Sequence, residues 1–234
     1  MTSESAGQTE PWIEKHGAKY AYAYDKGSKL SSALGVTGLP TAVLVDASGT
    51  VAWVGHPSSL NESIVEKHLD GALSKPVWEW SKKASKVKKA VLENELGKAL
   101  SEVEKLGEEF TDIKTAIRGM IDGKLASVQA AKEAGDWMRV DDLGSGLKKA
   151  FSGLPELETV KTILADLKSD KAAQKVLAGQ RKVAKIFSKE IKRKDIPKME
   201  KQLKAIAESN PLTAAARDAN AGLKRLSGMK RKKR

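Results

Sequence analysis

The chain has 234 residues, 40% hydrophobic and 31% charged, the make-up of an ordinary folded protein with a modest core. It carries a formal net charge of +12 and no cysteine, which excludes disulfides, thiolate nucleophiles and cysteine metal sites. No apolar run reaches membrane-spanning length, and the opening MTSESAGQTEPW lacks the basic-then-apolar order of a signal peptide, so the chain as written is expected to stay in the compartment where it is made, the cytoplasm.

The first strong pattern is Tyr20-Ala-Tyr-Ala-Tyr24, whose period of two predicts a strand. Asp25, Gly27 and Ser28 predict a turn and a helix cap, Lys29–Leu34 a short helix, and Gly35 its left-handed C-cap. Thr41–Asp46 is β-branched and apolar and reads as a buried strand. Ala47-Ser48-Gly49 turns the chain, and Thr50–Val54 returns as the antiparallel partner in a hairpin. Ser59 or Asn61 caps a helix expected to run to about Leu73, with Leu60, Ile64, Val65, Leu69 and Leu73 on one face. Trp53 is expected to pack under that helix.

The run Gly35-Val-Thr-Gly-Leu-Pro-Thr41, an apolar strand ending in Asp46, Ser48-Gly49, and Val51-Ala-Trp-Val-Gly-His-Pro57 together resemble the second half of thioredoxin-like proteins of the TlpA-like redoxin group. The resemblance covers about residues 11–73. It implies a cis peptide at Leu39–Pro40 and a peptide-binding loop of Gly38, Leu39, Pro40 and Thr41. It also implies thiol–disulfide exchange for an intact relative, carried out by a Cys-x-x-Cys at the start of the first helix. Trp12–Gly17 resembles the end of that helix, and the cysteines and the central strand that precede it in the family have no counterpart here. Loss of that strand would leave backbone groups unpaired on both neighbours. Three explanations compete: a start assigned too late, with an upstream extracytoplasmic leader and Cys-x-x-Cys, which is favoured; a true truncated relative; or direct pairing of the YAYAY strand with TAVLV.

Charge shifts along the chain. Residues 1–73 hold 5 Lys against 8 Asp/Glu, and the remaining residues hold 37 Lys/Arg against 22 Asp/Glu. The shift coincides with the loss of strand pattern and predicts a boundary near Ser74–Pro76. Two amphipathic helices follow, broken near Gly107, one through Ala84, Val87, Val91, Leu96, Leu100 and Val103, the other from Phe110 to Val128. Helices are then expected over about Trp137–Phe151, Glu156–Leu167, Asp170–Lys194, Pro197–Glu208 and Leu212–Leu226. Residues 147–168 and 203–226 each read helix, proline turn, helix, and resemble degenerate tetratricopeptide-type hairpins. Lys75-Pro-Val-Trp78 followed by helices also resembles a C-terminal extension of the TlpA-like group. Trp78 and Trp80 read as packing at the domain junction.

The fold class is therefore expected to be α+β: a partial thioredoxin-like α/β domain over 1–74, an all-α antiparallel array over 75–228, and a basic tail over 229–234. His16, His56 and His68 are scattered, no nucleotide-binding loop or nucleophile elbow occurs, and no cofactor or metal is expected. The family is one of oxidoreductases, but without a thiol this chain is expected to be a non-catalytic, protein-binding form. The alternative is a helical scaffold whose basic surface binds nucleic acid nonspecifically or other anionic partners, through Arg181–Lys194 and the tail Lys230, Arg231, Lys232, Lys233 and Arg234.

Overall fold

The computed structural model describes residues 4–17, 23–36, 38–47, 49–69, 72–73, 75–188 and 191–231, apart from the side chains of residues 32 and 229–231. The chain divides into two compact units, one of Met1–Val45 and Val51–Lys67, the other of Asp46–Thr50 and His68–Arg234. The described residues are mostly helical with one two-stranded antiparallel sheet, an α+β composition.

In the first unit, α1 (Ala6–His16) starts where the N–H and hydroxyl of Ser5 donate to Gln8 Oε1, and it ends at Gly17, whose φ is 57°. The helix buries none of its side chains, and Trp12 instead stacks on His16 with ring centroids 4.6 Å apart. Helix α2 (Lys29–Ala33) is held at its start by Asp25 and at its end by Gly35, which has φ 68° and lets the Val36 N–H reach back to Ser31 O. Of the expected YAYAY strand, residues 20–22 lie outside the described residues, and Tyr24 forms an isolated bridge.

Strands β1 (Ala42–Val45) and β2 (Val51–Gly55) pair Ala42 with Gly55 through Leu44 with Trp53, and the register then slips so that Val45 faces Val51. The turn closes on Asp46, which takes the Thr50 N–H on its carboxylate and the Gly49 N–H on its carbonyl. The expected buried strand is half-buried instead, with Val45 exposed: a hairpin with no further strand among the described residues covers little of its own surface. Trp53 lies over Gly55, where an added Cβ would sit 2.5 Å from the ring. Helix α3 (Glu62–Glu66), capped by Asn61 accepting from Ile64 N–H, is much shorter than the expected helix to Leu73. Leu69 is exposed and so adds no packing to prolong the helix, and the sequence there runs into the turn-forming pair Asp70-Gly71.

The second unit is built from α4 (Ser85–Leu92), α5 (Leu96–Val103), α6 (Thr111–Glu133), α7 (Trp137–Ala150), α8 (Glu156–Ser169), α9 (Lys171–Phe187), α10 (Ile196–Ser209) and α11 (Ala214–Arg231). The expected single helix through residues 84–103 is two helices. Asn94 adopts φ 54° and turns the chain just after Leu92, the exposed last residue of the first helix. The helix expected over Asp170–Lys194 ends at Phe187. The last helix starts at Ala214, because Leu212 takes φ 62° in the turn and is wholly exposed. Trp80 packs on the helical core and donates from its indole to Lys75 O, while Trp78 is 73% exposed, so only one of the two tryptophans fills an interior position.

Helices α4 to α8 and the first half of α9 (Ala173, Leu177) enclose one apolar core with Val87, Leu96, Ile117, Val140, Phe151 and Leu167 among its members; the rest of α9 (Val176, Val183), with α10 and α11, encloses a second around Leu203 and Leu226. Trp137 touches both. Between them lies Gln180, on the apolar stripe of α9 with Ala173, Val176, Leu177 and Val183. Its Oε1 accepts from the Met138 N–H at 3.1 Å, and its Nε2 donates to Asp136 Oδ1 at 2.9 Å and Asp218 Oδ2 at 3.0 Å. One amide thus joins the start of α7, the middle of α9 and α11.

A second junction joins α5 to the end of α7. Glu95 pairs with Lys149 at 2.9 Å and Lys98 at 3.2 Å. The Lys149 hydrogen bond, then that of Lys98, holds the Glu95 carboxyl below the usual glutamate range. Beside it Gly97 passes so close to the chain after α7 that an added Cβ would lie 2.1 Å from Ser152 O. Gly97→Ala is therefore expected to destabilise the protein by roughly 1–3 kcal/mol, since backbone on both sides must move. Gly107→Ala, where a Cβ meets nothing within 4 Å, should stay within about 0.5 kcal/mol of the parent. Urea unfolding of the two variants checks the contrast.

Candidate functional site

Local geometry builds the 38–41 loop from its two ends. On the N-terminal side Asp25 is buried, and its carboxylate accepts from Leu30 N–H and Ser31 N–H, both at 2.9 Å, and from the Ser31 hydroxyl at 2.7 Å. These bonds fix α2, and the Gly35 cap then directs the chain outward. On the C-terminal side Thr41 leads into β1, and its hydroxyl donates to Gly38 O at 2.6 Å, closing the loop. Between them the Leu39–Pro40 peptide is cis, as the family resemblance implies, and Leu39 is 81% exposed. The structure therefore brings Gly38, Leu39, Pro40 and Thr41 together as one presented loop with an apolar side chain at its tip.

His56 accepts from the Ser58 N–H at 3.3 Å and shares a 2.7 Å hydrogen bond with the Ser58 hydroxyl, so it caps the turn at Pro57–Ser59. His16 is occupied by Trp12. No group of three potential metal ligands occurs among the described residues. No helix among them is long and apolar enough to cross a membrane.

Of the basic tail, Lys230 and Arg231 lie in the backbone of the last turns of α11, and Lys232, Lys233 and Arg234 lie outside the described residues. The earlier basic stretch is spatially organised. Lys182 and Lys185 on α9 face Lys198 on α10 across a groove of about 850 Å³, floored by Ile186, Met199 and Ile206. The charge run was visible in the sequence; its meeting with Lys198 was not, because that depends on how α9 and α10 diverge. No family model, curated protein or solved structure matches the chain.

The hydrogen bonds from Ser31 and then Leu30 hold the Asp25 carboxyl below the ordinary aspartate range. A carboxyl lowered in the folded state stabilises fully above its unfolded value, about 3.9, and that contribution is lost as pH falls through the lower folded value. The Leu30 and Ser31 amide resonances should accordingly titrate below the ordinary aspartate value, and Asp25→Asn should abolish the step. NMR of both proteins between neutral and strongly acid pH reads it out.

Proposed function

We propose that this chain is a thioredoxin-like protein of the TlpA-like redoxin type in a non-catalytic, protein-binding form. The observation that carries the reading is the exposed Gly38–Thr41 loop set directly ahead of an antiparallel hairpin and a capped helix. That is the order of elements in the C-terminal half of such a domain. The 234 residues contain no cysteine, so they supply no thiolate to form a mixed disulfide. What the loop can supply is a binding edge: exposed backbone beside an apolar side chain suits an extended peptide. The helix pairs α7–α8 and α10–α11 fit the helical extension of this group, with short turns at Gly153–Pro155 and Asn210–Thr213 separating packed helices.

A photo-crosslinking amino acid at position 39, offered an unfolded, thiol-blocked model polypeptide, tests this. The same label at position 212, which is wholly exposed, is the control. Crosslinking from 39 should exceed that from 212 by about tenfold, corresponding to about 1.4 kcal/mol of preference. Equal yields would remove the peptide-binding role.

A further inference from the structure

We propose that the groove between α9 and α10 receives an acidic amphipathic helix from a partner protein. Helix α11 packs closely along both α9 and α10, which meet each other over a smaller area. The two leave between them a trough of about 850 Å³ lined by residues of α9 and α10 and of the turn between them. Its floor is apolar: Met199 and Ile206 are buried at its base, Ile186 is half-buried and Ala205 is exposed. Its rim is basic. Lys182 and Lys185, three residues apart on α9, share one side, and Lys198 stands on the other, with Asp195 and Gln202 beside it. All three lysines are exposed, and none forms an ion pair among the described residues.

The surroundings add to the field, since residues 171–208 hold twelve Lys/Arg against four Asp/Glu. Like charges gathered on one face repel, and a partner that brings carboxylates relieves the repulsion and associates faster. The floor decides the class of partner. A nucleic-acid backbone would use the lysine rim and leave the apolar floor dry and unused. The groove lining also offers no aromatic side chain on which a base could stack. A helix with Leu-type residues at i, i+3/i+4 and i+7 and carboxylates on its flanks uses floor and rim together.

The test uses the full chain and a fluorescent synthetic helical peptide of about 20 residues with that pattern. A scrambled peptide of the same composition and a short DNA duplex serve as competitors, and circular dichroism verifies that each variant is folded. The patterned peptide should bind with an affinity that falls with salt, and the scrambled one should bind at least about tenfold more weakly. Lys182→Glu with Lys198→Glu should weaken binding by at least about tenfold. Ala205→Arg should also weaken it, because it adds positive charge yet fills the floor. Absence of binding overturns the proposal, as does equal binding of the scrambled peptide or tighter binding by Ala205→Arg, which would describe a plain polyanion surface. Displacement of the peptide by the duplex, with the duplex itself lost on the double charge reversal, would reassign the groove to nucleic acid.

Discussion

A single buried amide ties three helices of the second unit, α7, α9 and α11, to one another. Gln180 sits where an apolar residue would be expected, on the inward stripe of α9, and its amide oxygen and both of its amide hydrogens find partners. The chemistry of the three partners explains the residue. The Met138 N–H belongs to the first turn of α7, where no intrahelical acceptor exists, and it needs an oxygen. The Asp136 and Asp218 carboxylates need donors. An amide offers one acceptor and two donors in one plane; Leu offers neither, and Glu would bring a third negative charge. Each buried group left unpaired would cost about 1–3 kcal/mol, so the network stands or falls as a set.

This junction matters because the helical unit has two apolar cores. Helix α9 places Ala173 and Leu177 in one core and Val176 and Val183 in the other, and Trp137 and the Gln180 network complete the seam between them. Asp218 ties α11 to α9 at that seam, and the Arg217 guanidinium adds a hydrogen bond to Ala134 O at 2.8 Å. With α11 fixed beneath α9, α10 can pack on α11 and still diverge from α9. The basic groove is thus a consequence of the seam: close small-residue contact, as where Gly179 meets Ala215, draws α11 inward, and the lysines stay outside. The first unit is organised differently. It relies on caps and turns at Ser5, Asp25 and Asn61, and it presents its Leu39 loop with little buried apolar surface beneath.

Much of this was legible in the sequence. Two β-branched, apolar runs around Ala47-Ser48-Gly49 announced the hairpin, Gly35 announced a left-handed cap, and spacing of three and four placed most of the helices after residue 84. The break at Asn94 was hidden, because Glu93-Asn94-Glu95 contains neither Gly nor Pro and the apolar spacing runs across it. The short α3 escaped notice because an apolar stripe gives a helix its length only when something packs along it. Gln180 carried a signal that periodicity alone can show: it occupies the position between Leu177 and Val183 where the stripe calls for an apolar residue. Its partners could not be read, since they lie 42, 44 and 38 residues away and meet it only once the helices have packed.

Native-state hydrogen exchange on the full chain and on Gln180→Leu tests the seam most directly. In the parent protein the slowest amides of α6 and of α10–α11 should exchange through one common opening. In the variant α10–α11 should open on their own and exchange at least about tenfold faster than α6. Equal protection of the two cores in Gln180→Leu, or separate openings already present in the parent, would contradict the claim that this amide joins them.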